Sequence, residues 1–524
     1  MVFKNLNIKM VISIWVYLIT TIITLIYFYS KRKYSYWKDR NVYYIEPEFP
    51  FGNVGPVIKR QKPTIEFIQT IYDEIKSRKK MFGGMYSFFS PQFIPVDLDL
   101  VKCIMQKDFA YFPNRGMLID EKNDPLSGHL FNLEDEKWRN LRAKLTPTFT
   151  SGKMKMMFQT MLDCTEGLNE LLVESARKKE PVDIKETLAC FTTDVIGSVA
   201  FGIEINSMKN PDSDFRKYGK KIFTSSWKTI IKFSLLRLLP KWLTTMLKIK
   251  VFEKDTETFY MNLVKDTIAY REKNNVYRKD FMHLLIQLKN IGKISENDDD
   301  PTLIHKNTEN QQALTLNEIA AQSFVFFIAG FETSATTMTF ALLELAQRQD
   351  IQDKLREDIN EVLARHDNEI TYEAIMEMTY LEKVVLETLR KHPPLTTLPR
   401  ICTKSYKIPN SNLVLEAGTR VVVPVYCIQR DPEYYPDPEN FDPERFNEEN
   451  KSKRNQFAYM PFGEGPRTCI GLRFGKLQVK VGLCSVLKNY KVTLNEKTQL
   501  PIKYDIGFIA SVKGGAWLNL EKIK

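Results

Sequence analysis

The chain has 524 residues, 43% of them hydrophobic and 27% charged, enough apolar side chain for a large core and too much for a disordered polymer. Its 75 Lys and Arg against 64 Asp and Glu give a net charge of +11, which favours anionic partners. Without an arginine-rich tail, zinc-finger spacing or aromatic RNA-binding signature, nucleic acid is the weakest such partner, and seven cysteines without C-x-x-C spacing argue against both a disulfide framework and a zinc site.

Residues 10–29, "MVISIWVYLITTIITLIYFY", carry no charge and span roughly 30 Å as a helix, the thickness of a bilayer core. The run is long for a signal peptide and lacks a small-x-small cleavage site, so an uncleaved anchor is the favoured reading. Lys31, Arg32, Lys33, Lys38 and Arg40 follow it, against Lys4 and Lys9 before it, which places the remainder in the cytosol. A Pro- and Gly-bearing stretch, "EPEFPFGNVGP", comes next. The expected organisation is an anchor over residues 1–30, a basic and Pro/Gly-rich connector over 31–56, and one body over 57–524.

Helical periodicity dominates residues 64–392, and alternating, turn-rich stretches such as "NLVLEAGTRVVVPVY" appear only afterwards, so the fold is expected to be mainly α with a minor β part. The polar run over 294–312 reads as an exposed connector between helices. Residues 215–252 hold ten Lys or Arg and no acid, interleaved with Trp227, Phe233, Leu235, Leu236 and Trp242. That pattern suits either a solvated basic face or contact with an anionic membrane surface.

Thr315 and Glu318 form a T-x-x-E capping box, and the helix they open runs to about Arg348, a length of roughly 50 Å. Its middle, "SFVFFIAGFETSATTMTF", is apolar on nearly every face and must be buried. Glu332 would be costly at a bilayer centre, so the helix is expected in a protein core. Gly330 weakens it and leaves space beside it. The adjacent Glu332 and Thr333 are either a working pair or a satisfied one that bends the helix by back-bonding to a carbonyl.

Near the C-terminus, "PFGEGPRTCIG" wraps Cys469 in glycines, a proline and Arg467. The dinucleotide fingerprint fails, because its third glycine would be Thr468, and the phosphate loop fails at Ile470 and Leu477. What remains is a flexible loop leading into a helix that starts near Cys469. Helix dipole, free backbone N–H groups and Arg467 there favour a thiolate. Such an anion serves as a nucleophile or as a metal ligand, and none of the five histidines (His129, His283, His305, His366, His392) pairs with it locally in sequence.

"FGEGPRTCIG" resembles the F-x-x-G-x-R-x-C-x-G haem signature of the cytochrome P-450 monooxygenases, with Phe462, Arg467, Cys469 and Gly471 at the motif positions. "AGFETS" is similar to that family's oxygen-activation motif, with Gly330, Glu332 and Thr333. "ETLR" and "PERF" match its Glu387, Arg390 and Arg445 triad, and "WRNLR" its W-x-x-x-R pair, Trp138 and Arg142. Arg400 looks like a further propionate partner. The resemblance covers essentially the whole chain and looks closest to the insect detoxification branch. One departure is Gln429, where relatives often carry His, which puts that local polar contact in doubt.

The resemblance implies haem b with Cys469 as axial ligand, propionates held by Trp138, Arg142, Arg400 and Arg467, and a lipophilic small-molecule substrate oxidised with one atom of O2. It implies Glu332 and Thr333 as proton-delivery residues and an NADPH-dependent flavoprotein reductase, with cytochrome b5 as a possible second donor. The implied location is the endoplasmic reticulum membrane, single-pass, with the catalytic domain facing the cytosol. Lys137, Arg139, Lys451, Lys453, Arg454, Arg473, Lys476 and Lys480 are the candidate docking residues. Pocket walls are expected from residues 109–130, Phe331 and its helix neighbours, 395–398 and 507–509. Alternatives are a haem-thiolate isomerase or dehydratase, which needs no reductase, and a non-catalytic haem or ligand carrier.

Overall fold

The computed structural model describes residues 2–223, 229, 232, 236, 239, 241–294 and 313–523. Most of the polar run over 294–312 and the middle of the basic 215–252 stretch, Trp227 included, lie outside the described residues.

The chain opens with helix α1 (Val2–Tyr34), whose apolar residues Trp15, Tyr17 and Leu25 stand exposed. The 31–56 stretch is no free spacer. Trp37 is fully buried and its indole N–H donates to the Met85 carbonyl at 3.2 Å. Asn53 accepts from the Tyr86 N–H at 2.7 Å and donates to the Ile45 and Glu46 carbonyls. The connector is thus a strap laid along strand β1 (Phe82–Ser87), with the Ile45 and Asn53 N–H groups donating to the Gly84 and Tyr86 carbonyls of the body it leads to.

Among the described residues nine strands form three small sheets. β1 (Phe82–Ser87) and β2 (Ser90–Pro95) join β4 (Leu398–Ile401) and β7 (Arg420–Val423) in the order β1-β2-β7-β4, with only β2 and β7 parallel. β3 (Val182–Asp183), β9 (Trp517–Lys522) and β8 (Tyr490–Leu494) form the second, and β5 (Tyr406–Lys407) pairs with β6 (Val414–Leu415). In β4 the two-residue period buries Leu398 and Arg400 on one face, with Arg400 opposite Val421 of β7.

The remainder is helical, as expected. The helices that frame the site are α2 (Thr64–Ser77), α3 (Asp135–Leu145), α4 (Ile184–Ile196), α5 (Asp214–Phe223), α6 (Lys254–Asn274), α7 (Phe281–Asn290), α8 (Leu316–Gln347), α9 (Thr379–Lys391) and α10 (Leu472–Leu487). α8 is the axis of the fold. The capping box is formed: the Thr315 hydroxyl accepts from the Glu318 N–H at 3.2 Å, and the Glu318 carboxylate accepts from the Thr315 N–H at 2.8 Å.

Among the described residues only α1 and α8 are long and apolar enough to cross a membrane; α8 has 67% of its most apolar window buried and α1 has 6%. α8 is therefore a core helix. It packs against α4, α6, α9 and α10, and its Phe324, Phe327 and Phe331 join Phe201, Phe215 and Tyr260 in an aromatic cluster, with Phe215 and Phe327 centroids 4.5 Å apart. Burying each such ring stabilises by about 1.5–3 kcal/mol. That cluster fixes the face of α8 turned to α5 and α6, and hence the face left for the cavity.

Behind α9, Glu387 and Arg390 are fully buried and paired through two bonds of 2.7 and 2.9 Å, with Arg445 Nε 3.6 Å from the same carboxylate. The expected triad is assembled. Glu387 also accepts the Asp442 N–H at 2.9 Å, so the pair anchors the segment that precedes the cysteine loop.

Candidate functional site

One cavity lies between α8, α3, the turn before β4 and the cysteine loop. The loop closes on itself: the Cys469 N–H donates to the Phe462 carbonyl at 2.9 Å, and the Thr468 hydroxyl to that of Gly463 at 3.1 Å. Gly463 and Gly465 both sit at φ +72°, and a Cβ on Gly465 would fall 2.0 Å from the Met105 carbonyl oxygen. Only glycine serves there. α10 begins at Leu472, so Cys469 occupies the turn ahead of the helix, with Gly471 as N-cap.

The Cys469 thiol opens onto the cavity and is otherwise enclosed by protein, which is why the residue counts as exposed although the thiol sits deep. Burial pushes its pKa up; the Gly471 N–H, Arg142 and Arg115 pull it down. The sequence reading assigned that charge to Arg467, but the arginines acting on the sulfur are Arg142 and Arg115, because Arg467 turns away.

Four arginines converge on this cavity. Arg467 donates to the Pro113 and Leu133 carbonyls at 2.7 and 2.8 Å and stacks on the Trp138 ring at 3.9 Å, leaving Nη1 without a partner. Arg400 donates to its neighbour's carbonyl, and its buried Nε is unpartnered. Arg142 donates to the Thr468 carbonyl at 2.9 Å and Arg115 to those of Phe131 and Arg467. Burial and mutual repulsion lower Arg115, burial lowers Arg400 to about 10, and burial with Arg400 lowers Arg467 to about 9.

Buried guanidinium N–H groups facing a cavity without a carboxylate ask for an anion. The thiol is the only side chain of metal-binding type in the lining, and no cluster of three His, Cys, Asp or Glu occurs among the described residues. This donor set suits a group that brings its own metal ligands and its own carboxylates, with Cys469 completing the coordination. An otherwise apolar lining, from Leu130, Phe131, Leu395, Leu398 and Phe508, suits a flat hydrophobic body.

α8 contributes Ala329, Gly330 and Thr333 to the same cavity. The Thr333 hydroxyl donates to the Ala329 carbonyl at 2.5 Å, the back-bonded state. Gly330 was expected to leave room beside the helix; a Cβ there would meet Ile196 Cδ1 at 2.5 Å, so its smallness also admits α4. Glu332 points elsewhere. It is absent from the cavity lining, and its carboxyl is raised by burial and countered by Lys185, Arg216 and Lys220 from α4 and α5.

Of the expected walls, Arg115 and Leu130 from 109–130, the helix neighbours Ala329, Gly330 and Thr333, then Leu395, Thr397 and Leu398, and Phe508 line the cavity, whereas Phe331 itself is packed into the aromatic core. Arg115 falls within the expected wall 109–130 but not as a buried cation, and Phe131 lies one position beyond it; no spacing rule marks either role. Gln429 resolves the doubt about its contact. It is fully buried, donates to the Leu389 and Arg390 carbonyls at 2.9 Å each, and accepts the Met460 N–H at 2.8 Å.

The basic residues near the loop are largely paired within the chain. Lys476 and Lys480 meet Glu382, Lys453 meets Glu449 at 2.7 Å, and Lys137 meets Glu121 at 2.7 Å. The exposed pairs, Lys453 with Glu449 and Lys137 with Glu121, are worth about 0–1 kcal/mol each, so a partner can displace them at little cost, whereas Lys480 is buried. In the basic 215–252 stretch Arg216 is buried against Glu186 at 3.0 Å, while Trp242 and Met246 stay exposed.

Comparison with known proteins adds a family model, Cytochrome P450, that matches residues 49–516. The chain is 42% identical over 512 residues to the probable cytochrome P450 6a14 of Drosophila melanogaster, covering 97% of this chain and 99% of the relative. It is 40% identical over 514 residues to cytochrome P450 6a2 of the same species, at 97% and 99% coverage. It is also 40% identical over 518 residues to cytochrome P450 6A1 of Musca domestica, at 98% of both chains.

Proposed function

We propose, for a chain that belongs to the cytochrome P450 family, that it oxidises small lipophilic xenobiotics, such as insecticides and plant toxins, or lipophilic hormones, with electrons from an NADPH-dependent flavoprotein reductase. Members of the family bind haem through a cysteine thiolate and are monooxygenases, and this chain is one of them. The observation that carries the site assignment is the Cys469 thiol opening into an apolar cavity ringed by four arginines, two of which, Arg400 and Arg467, keep a buried N–H group unmet.

In this reading Cys469 holds the iron. Arg115, Arg142, Arg400 and Arg467 hold the two carboxylates, and Trp138, stacked on Arg467, fixes the plane of that guanidinium. Phe462 and Gly471 belong to the turn that presents the sulfur, Gly471 by its N–H. Haem supplies the redox chemistry that activates dioxygen.

The residues of the chain do the rest. Apolar walls exclude bulk water and select lipophilic ligands. Thr333 holds a proton at Oγ1 on the cavity side, and a χ1 rotation away from the Ala329 carbonyl turns that proton inward. Glu332, its carboxyl raised by burial and opposed by Lys185, Arg216 and Lys220, lies on the side of α8 away from the cavity and relays protons toward Thr333. Glu387, Arg390 and Arg445 keep the segment before the cysteine loop in place.

α1 is read as a single-pass anchor in the endoplasmic reticulum membrane, with the catalytic domain in the cytosol and the exposed Trp242 and Met246 touching the same surface. The reductase docks on the face carrying Arg139, Lys453, Arg454, Arg473 and Lys476, with cytochrome b5 a second donor for that face. The decisive experiment is the spectrum of the reduced, carbon monoxide-bound protein, followed by turnover with reductase and NADPH. The thiolate signature and NADPH-dependent product are expected; product from a hydroperoxide alone, without NADPH, would overturn the reading in favour of an isomerase or dehydratase.

A further inference from the structure

Gln322 lies on α8 about three turns before Thr333, 1% exposed, with its amide turned to a loop that has no regular structure. Its Oε1 accepts the Leu130 N–H at 2.9 Å, and its Nε2 donates to the Gly128 carbonyl at 3.3 Å and the Glu318 carbonyl at 3.1 Å. One side chain therefore binds an N–H and a C=O two residues apart, as a neighbouring strand would. The next side chains along, Leu130 and Phe131, are walls of the cavity, and Gln322 lines it too.

The far side of this wall is tied independently. Arg115 donates to the Phe131 carbonyl at 2.9 Å, lies 4.1 Å over the Phe131 ring and donates to the Arg467 carbonyl at 3.1 Å. The loop is thus stretched between α8 and the cysteine loop. Turn bonds inside the loop remain, the Asn132 and Leu133 N–H groups donating to the His129 carbonyl at 3.0 Å each, but an irregular segment opens locally at low free energy when one of its ties to a neighbouring element is cut.

We propose that Gln322 is a specificity-determining positioning residue: through its amide it fixes residues 128–131 against α8, so that Leu130 and Phe131 form a rigid wall that limits the girth of the ligand. The inference rests on the cavity being the substrate site. An apolar cavity discriminates poorly by composition alone, and only a wall that does not yield rejects a bulky ligand. Glutamine is suited because a single planar amide supplies acceptor and donor together.

The test uses the full-length, haem-loaded chain and Gln322→Met, which keeps length and volume and loses the amide. Hydrogen exchange over residues 128–131 should quicken about five- to tenfold with the loss of two or three amide bonds. Dissociation constants for slender 1-alkylimidazoles and bulky biphenyl imidazoles, read from difference spectra, should draw together by a similar factor. In a Phe131→Ala background the same substitution should no longer change that ratio. Should Gln322→Met fail to fold, Gln322→Glu keeps the acceptor for Leu130, loses the donor to Gly128, and should show a smaller increase in exchange. Unchanged exchange over 128–131 in whichever variant folds, or an unchanged ratio, overturns the proposal. A missing thiolate spectrum in the parent protein counts against the function assigned to the cavity, while the exchange measurement still decides the clamp.

Discussion

Arg390 and Gln429 hold each other by reciprocal bonds: Arg390 Nη1 donates to the Gln429 carbonyl at 3.0 Å, and Gln429 Nε2 donates to the Arg390 carbonyl at 2.9 Å. Gln429 also takes the Met460 N–H one residue before "PFGEGPRTCIG", so the end of α9 and the cysteine loop meet in a single side chain. Gln429→Leu strands one N–H and two carbonyls in the interior. The expected loss is about 3 kcal/mol of stability, measured by denaturant unfolding, with faster haem release. Gln429→His keeps one donor and one acceptor and should lose only about 1 kcal/mol.

The second prediction concerns His392. Its Nε2 donates to the Glu344 carboxylate at 2.8 Å and its Nδ1 accepts the Tyr504 hydroxyl at 2.7 Å, which fits a neutral imidazole. Burial lowers its pKa from 6.5 to about 4, the bond to Glu344 opposing. The unfolded chain binds more protons between those values. Stability from this group is therefore complete above pH 6.5, declines as pH falls toward 4, and amounts to about 3 kcal/mol over the window. His392→Asn should flatten the unfolding free energy between pH 4 and 6.5.

Glu344 extends the slope downward. Burial raises it, but His392 and Lys391 outweigh that and hold it at about 2. Its contribution is present above pH 4.5 and is lost as pH falls through 2. Glu344→Gln should remove the pH dependence below 4.5 and leave most of the higher window, a distinction that stability curves at five or six pH values will show.

Removing one guanidinium from the carboxylate-binding set should loosen haem. For Arg400→Leu or Arg115→Met the loss of a charge-assisted hydrogen bond predicts roughly tenfold to a hundredfold faster haem transfer to an acceptor protein. Equal transfer rates in parent and variants would rule those residues out.

Cys469→Ala should abolish the thiolate signature of the reduced carbon monoxide complex, and its persistence would refute the ligand assignment. Thr333→Ala should retain haem while reduced oxygen escapes as peroxide at the expense of product. Unchanged coupling between NADPH consumed and product formed would count against the proton-delivery role.

The helical body, the capping box at Thr315 and the cysteine loop were legible because each is written in local spacing. The triad of Glu387, Arg390 and Arg445 was legible only through the family motifs, since Glu387 and Arg390 share one helical turn but Arg445 is far from them in sequence. Arg115 was not, because an arginine becomes an anion site only when other chain segments deny its N–H groups a partner. The direction of Glu332 was missed for a related reason: adjacent helix positions point roughly 100° apart, and the motif gives no rotation for the helix. Gly330 was read as making space, whereas the clash with Ile196 shows that packing fills one side of it.

The strap from Trp37 to Asn53 has a consequence for encounter. α1 ends at Tyr34 and the first fully buried side chain of the body, Trp37, follows three positions later. With α1 in a bilayer, that leash is too short for the body to tumble freely, so its inclination to the membrane plane is held within narrow limits. A redox partner anchored in the same bilayer then searches two dimensions in place of three.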